Sequence, residues 1–288
     1  MGERRGALVM SGPVLVILAA GRARRFGGIK PLAPIGIHGE AVIDLIASDA
    51  VAAGFGHIVV VINPDTGPVI REHIAANWPP AVSVGFATQE RPLGTVHAVL
   101  SAASELDGSV PFGVCNADDL YGRDAMLALG THLTTASNNC LVGFRLDQAL
   151  VGDQPVTRGV CQVEDGLLTG IAERRQVSLT PEGFRAGDGL EPAQLSPDNL
   201  VSMNLWGFAP SMWTVFQAAM NAAEASEEAE VLLPEIVGQE LATGQSTFAV
   251  IPAPSQCVGV THPDDLAIVQ EEIRKQVASG LRPDRAFL

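Results

Sequence analysis

Short, continuously apolar runs alternate along this chain with longer, Ala-rich stretches whose apolar positions recur at helical spacing. The runs Val14–Ala19, His57–Ile62, Val82–Ala87 and Val110–Cys115 are rich in β-branched residues and predict buried strands. Residues 40–53, 66–77 and 94–104, which separate them, predict helices. This rhythm predicts a mainly parallel sheet with helices on both faces, because parallel neighbours need a crossover long enough to hold a helix. The fourth run ends in Asn-Ala-Asp-Asp-Leu-Tyr-Gly, which puts two carboxylates just beyond a strand's carboxyl end, where ligands bind in open α/β sheets.

A helix over 123–135 and a strand over 139–145 continue the pattern, after which the texture changes. Residues 147–200 are rich in Gly, Pro, Asp and Gln and predict an inserted β-rich lobe, with 176–198 as a mobile loop. A strand over 201–208, helices over 210–224 and 229–242, a strand over 247–251 and a closing helix over 263–279 complete the chain. With 288 residues, the chain is read as one domain. Its parts are a ligand-binding half over about 12–146, a second lobe over about 147–262 and a C-terminal helix over 263–288.

Composition narrows the ligand. Hydrophobic residues make up 47% and charged residues 17%, enough apolar material for a large core and no case for disorder. The formal charge of −14 repels a nucleic-acid backbone. Yet Arg22, Arg24, Arg25 and Lys30 gather within nine residues, the pattern of a local anion site for a small phosphorylated ligand. Cys115, Cys140, Cys161 and Cys257 are too dispersed for a zinc site or a disulfide framework and predict reduced, buried thiols. No run of about 18 apolar residues predicts a membrane span. Arg4 and Arg5 precede an apolar run, but Gly12 and Pro13 interrupt it and it flows into a Gly/Arg loop, so it reads as a first strand rather than a signal peptide.

The most informative string is LAAGRARRFGGIKPLAPI, residues 18–35, directly after the first strand. A glycine turn can bring main-chain N–H groups against phosphates while Arg and Lys neutralise charge. The spacing is neither a Walker A loop nor a GxGxxG fingerprint. It resembles the LAAGxGxRxxxxxxKPL signature of the sugar-1-phosphate nucleotidyltransferases, with Ala23 where the family usually has Gly and Arg24 where it has Ser or Thr. QERPLGTVHAVL (89–100) and CNADDLYG (115–122) resemble the family's next two motifs.

The resemblance implies a Rossmann-like fold of the glycosyltransferase A type with a small β-rich substrate lobe. It implies the Ala19-Ala20-Gly21 turn at the nucleotide, Arg25 on the triphosphate and Lys30 near the transferred phosphorus. Gln89 would read the base, with Gly94 and Thr95 against base and ribose. Asn116 and Ala117 would line the nucleotide site, Tyr121 the substrate pocket, and Asp118, helped by Asp119, would hold Mg²⁺. In the second lobe, GIAERR (170–175) would place Glu173 on substrate hydroxyls and Arg174 on the substrate's phosphate, although the family's usual cation is Lys. SMNLWGF (202–208) offers Asn204, with Trp206 as core packing.

Where many relatives carry a second metal-binding Asp, this chain reads Gly259, Val260, Thr261. Asp264 or Asp265 would substitute, or the metal would rest on Asp118 and phosphates alone. His97, inside the second motif, is assigned no role, because an already anionic phosphate needs no general base. The implied activity is cytoplasmic, Mg²⁺-dependent transfer of a nucleoside monophosphate from a nucleoside triphosphate to a phosphorylated sugar or cyclitol. Homo-oligomerisation through the C-terminal helices is compatible with it. A glycosyltransferase using a ready-made sugar nucleotide, or a non-catalytic nucleotide-sugar sensor, could share the same sheet and acidic pair.

Overall fold

The computed structural model describes residues 12–21, 27–136, 138–150, 154–226, 230–260 and 265–288. The first half runs β1 (Val14–Leu18), α1 (Val42–Ala52), β2 (His57–Ile62), α2 (Gly67–Asn77), β3 (Val84–Thr88), α3 (Gly94–Ser101) and β4 (Phe112–Asn116). It continues through the short β5 (Asp119–Leu120), α4 (Arg123–Thr135) and β6 (Asn139–Arg145). The lobe holds β7 (Val156–Glu164), β8 (Leu167–Thr180), β9 (Gly183–Arg185) and β10 (Gln194–Leu195). Then come β11 (Leu200–Phe208), α5 (Met212–Ser226), α6 (Leu233–Thr243), β12 (Phe248–Pro252), β13 (Val258–Gly259) and α7 (Asp265–Ala278).

Strand β1 is apolar at every position because both faces of the sheet are covered. In β1, Leu15 and Ile17 join the cluster under α1, α2, α4 and α7, whereas Val14 and Val16 join the cluster under α3, α5 and α6. The period-2 alternation of a strand thus feeds two cores from one run of sequence.

The sheet is mixed rather than mainly parallel. β3, β2, β1 and β4 are parallel neighbours, as expected, but β11 enters between β4 and β6 antiparallel to both. β7 to β10 pair only antiparallel, and β12 returns parallel to β6. The physical reason is connectivity. Strand-helix alternation enforces parallel pairing only where a helix makes the crossover, and β11 is reached from the lobe with no helix between.

The stretch expected as a loop over 176–198 contains the end of β8 together with β9 and β10, with unpaired segments between them. β8 runs on to Thr180, and Val177, Phe184 and Leu195 plant apolar side chains in the core.

Candidate active site

The carboxyl end of β1 leads into Ala19, Ala20 and Gly21. The Ala19 N–H donates to Val61 O at 2.8 Å, and buried Asn63 donates through Nδ2 to Ala20 O at 3.0 Å. The Asn63 Oδ1 accepts from the N–H groups of Asp65 and Thr66, so one side chain ties the end of β2 to the turn after β1. Asn63 is a supporting residue that no motif announced. Arg25 lies outside the described residues. Lys30 opens a 3-10 turn over Lys30–Leu32 and brings Nζ to 3.5 Å from Asp118 Oδ2.

The acidic pair sits where β4 ends. Asn116 donates through Nδ2 to Asp119 Oδ2 at 2.8 Å, and β5 pairs with β13 so that Gly259 lies opposite Asp119. A Cβ on Gly259 would fall against Asp119 Oδ1. The glycine found where an acid was expected is therefore what makes room for Asp119.

Burial pushes the Asp118 carboxyl above its usual range, opposed by Lys30. Burial and then the Asp118 charge push Asp119 up to about 7, opposed by the Asn116 hydrogen bond. Adjacent carboxylates that burial keeps from ionising comfortably are hard oxygen donors short of positive charge, which fits Mg²⁺. Asp118 and Asp119 could hold it. Asp264 lies outside the described residues, and Asp265 is buried at the start of α7 and lines neither of the two clefts described below.

Tyr121 does not line the pocket. Its ring is fully buried, and its hydroxyl donates to Met203 O at 2.8 Å while accepting the Asn116 N–H at 3.0 Å. It clamps β4 to β11 from beneath.

A cleft of about 540 Å³ beside the turn after β1 is lined by Ala20, Gly21, Gln89, Gly94, Thr95 and Asn116, among others. A smaller recess beside it is lined by Ala19, Lys30, Ala117 and Asp118. Gln89 donates through Nε2 to Gly94 O at 3.0 Å, which fixes the amide and leaves Oε1 as an acceptor. The same Nε2 lies 3.1 Å from His97 Nδ1. Thr95 lines the cleft, but its Oγ1 already accepts the Leu233 N–H at 2.8 Å and so anchors the start of α6.

The adjoining cleft, about 840 Å³, lies between the acidic pair, the lobe and α6. Glu173 and Asn204 line it. Asn204 sits in a bulge of β11 with φ +59°, a left-handed conformation that asparagine tolerates better than most residues, and its Oδ1 accepts from Trp206 Nε1 at 3.1 Å. Trp206 is fully buried in the core.

Arg174 faces the other way. It forms a two-pronged ion pair with Asp188 at 2.8 and 3.0 Å and donates to the carbonyls of Leu190 and Pro192, all in a buried site. Side chains alternate across a strand, so Arg175 is the one that shares the cleft with Glu173, at 3.0 Å. That alternation was legible in the sequence. Arg158, Glu235 and Gln239 also line the cleft, and only the pairing of β7 and the docking of α6 bring them there.

Residues 15–157 match the MobA-like NTP transferase domain. The bifunctional protein GlmU of Ralstonia pickettii is 34% identical over 166 residues, 58% of this chain and 34% of that protein. GlmU of Burkholderia thailandensis is 27% identical over 276 residues, 95% of this chain and 55% of its own length. The chain thus spans between about a third and about half of these curated relatives. In fold it is similar to the inositol-1-phosphate CTP transferase of T. maritima, with a TM-score of 0.69, 13% identity and coverage of 93% of this chain and 97% of that one. A UDP-glucose pyrophosphorylase complexed with UDP-glucose superposes with a TM-score of 0.65 at 16% identity, covering 92% and 99%. The matched domain and the curated relatives support a place for this chain in the sugar-1-phosphate nucleotidyltransferase family, and the two solved structures share its fold.

Proposed function

We propose that the protein transfers a nucleoside monophosphate from a nucleoside triphosphate to a sugar-1-phosphate, cyclitol phosphate or similar small acceptor, releasing pyrophosphate with Mg²⁺ as cofactor. One observation carries this reading: Asp118, paired with Lys30, lines both clefts at their junction, where an acceptor's phosphate and the α-phosphorus would meet. Asn116, Thr95 and Leu232 are shared by the two clefts as well.

In this reading Gly21, Gln89 and Gly94 seat the nucleotide, and Glu173 and Asn204 orient the acceptor's hydroxyls. An oxygen of the acceptor's phosphate attacks the α-phosphorus as the bond to pyrophosphate breaks. Lys30 offsets charge on the phosphates in transit, and Arg25 would do the same on the triphosphate. Asp118 and Asp119 would hold Mg²⁺, which supplies neutralisation of the departing pyrophosphate. Catalysis is then positioning and electrostatics, with the attacking group already anionic.

A cytoplasmic setting suits the reading, since Cys115, Cys140, Cys161 and Cys257 are free and buried, as a reducing compartment permits. Among the described residues no helix is long and apolar enough to cross a membrane. The test is pyrophosphate release from five nucleoside triphosphates against a panel that includes inositol 1-phosphate and glucose 1-phosphate. Release should need both substrates and Mg²⁺, and should fall about 100-fold or more in Lys30→Ala and Asp118→Ala. Release from a triphosphate alone, or full activity in both variants, would overturn it.

A further inference from the structure

Gln89 lines the cleft beside the turn after β1 with only 7% of its surface exposed. Its main chain is pinned at the end of β3, where its N–H donates to Ile62 O at 2.8 Å. Its amide meets two residues of α3 that share a face, Gly94 and His97, three positions apart. The amide nitrogen lies 3.0 Å from Gly94 O and 3.1 Å from His97 Nδ1. A carbonyl oxygen can only accept, so the contact with Gly94 decides which end of the amide is nitrogen. Both amide hydrogens then have an acceptor, and among the described residues none donates to Oε1. That oxygen is not one of the buried polar atoms left without a partner, so it opens on the cleft.

His97 can accept from the Gln89 amide only as a neutral ring that carries its proton on its own Nε2. Its setting favours that form. Burial lowers its pKa below the usual range, aided by the Arg91 charge and opposed by Glu224 on α5. Arg91 and Glu224 are themselves an ion pair at 3.3 Å. Of the other elements packed on α3, β1 has no titratable side chain, while His57 of β2 and Glu105, in the 3-10 turn after α3, act on each other.

We infer that His97 is a positioning residue for the nucleobase: it locks the Gln89 amide so that the cleft is offered an acceptor alone, a role that rests on the nucleotide seat proposed above. The base is then read through one of its N–H groups. A base edge that presents an acceptor at that point is rejected, because two facing lone pairs leave both groups unpaired. The transfer needs no proton from His97, so its effect falls on which triphosphate binds rather than on the chemical step. Removing the ring frees the amide. Protonating it does the same, since an imidazolium turns an N–H toward the amide N–H groups.

The experiment is steady-state kinetics of the whole chain with Mg²⁺ and each nucleoside triphosphate, comparing His97→Phe and His97→Asn with the parent. Phe, which accepts nothing, should raise the KM of the best triphosphate about 5- to 10-fold and cut its kcat/KM advantage over the next base by a similar factor. The acceptor KM should move less than about twofold. Asn, whose Oδ1 can take the place of Nδ1, should restore most of the loss. Between about pH 8 and about pH 5.5 the parent's triphosphate KM should rise relative to that of the Asn variant, which has no ring to protonate. Titration of the triphosphate and of the acidic pair is common to both proteins and cancels. An equal rise in KM for every triphosphate, with the base preference kept, is what packing alone produces and would overturn the role. So would an Asn variant, folded by its thermal transition, that does no better than Phe, or a pH dependence identical in Asn and parent. Should the parent release no pyrophosphate with any pair, the transfer reading fails, and calorimetric Kd values for the triphosphates then decide His97 separately. A base preference reduced in Phe and kept in Asn supports the lock; equal preference in all three proteins, or no binding by the parent, refutes it.

Discussion

Replacing Gly94 by alanine perturbs both clefts through one atom. Gly94 has φ +91°, and a Cβ there would fall on the Val231 carbonyl oxygen, 2.5 Å from Val231 N and 2.8 Å from Val231 C. These are main-chain atoms, so no side-chain rotation relieves the clash. Residues 231–233 would have to move, and with them the hydrogen bonds from Val231 N to Leu93 O, from Val96 N to Val231 O and from Leu233 N to Thr95 Oγ1, now 3.0, 3.1 and 2.8 Å. A non-glycine residue at positive φ costs about 1–2 kcal/mol, and weakening two or three hydrogen bonds adds about 1 kcal/mol each. The sum is about 4 kcal/mol, which for a chain of this size corresponds to a Tm lower by about 10 °C. Leu232 is shared by both clefts, so substrate binding suffers even where the protein stays folded. Differential scanning fluorimetry and KM values measured well below the transition separate the two effects. A Gly94→Ala protein with Tm within about 2 °C of the parent and an unchanged triphosphate KM would show that 231–233 moves freely, which would refute the packing argument.

Two further outcomes follow from the acidic pair and the lobe. Asp119 binds its proton more tightly in the folded state, at about 7, than in the unfolded chain, at about 3.9. Its stabilising contribution is therefore present below about pH 4 and lost as pH rises through about 7, on the order of 4 kcal/mol at full ionisation. In EDTA the parent's Tm should show this decline over that window while Asp119→Asn flattens it, and a slope identical in the two proteins would remove Asp119 as its source. Mg²⁺ should oppose the decline, because it binds the ionised form. In the lobe, Arg174→Ala should lower Tm by several degrees by stranding Asp188, whose carboxyl Arg174 holds well below the usual range, and should leave kinetics nearly intact. Arg175→Ala should do the reverse, raising the acceptor KM with little change in Tm, and the opposite pattern in the two proteins would favour Arg174 as the cation facing the substrate.

The elements that could be read from the sequence were those whose physics is local. His57–Ile62, 123–135 and 139–145 fall where periodicity put them, because a buried strand or an amphipathic helix declares its own ends. The approach of Lys30 to Asp118 was also legible, since the turn after β1 and the acidic pair after β4 follow the same end of two neighbouring parallel strands. What failed depends on partners distant in sequence. The mixed sheet follows from where β11 inserts, and the 14 residues of β8 looked like fragments because Gly170 and a run of charges interrupt its apolar pattern. Tyr121 looked like a pocket residue because nothing in its neighbourhood announces Met203 O, which lies 82 positions away. Arg174 was a different kind of error, one that period-2 alternation from Glu173 would have corrected to Arg175.

The antiparallel entry of β11 explains why the two clefts meet where they do. In an all-parallel sheet the strand beside β4 would present its carboxyl end beside the β4 carboxyl end at Asn116. Here β11 runs the other way, with Trp206 opposite Val114 and Phe208 opposite Phe112, so its earlier residues lie toward that end. They bring the Asn204 bulge into the cleft that Asn116 and Asp118 also line. The Tyr121 hydroxyl spans this seam, taking the Asn116 N–H and giving its proton to Met203 O, one residue before the bulge. The side chain that would orient the acceptor and the carboxylates that would hold the metal are therefore registered through strand pairing and the fully buried Tyr121 side chain, which bonds main-chain atoms on both strands. For a reaction that relies on placing two phosphates in line, such rigidity at the seam is what the chemistry needs most.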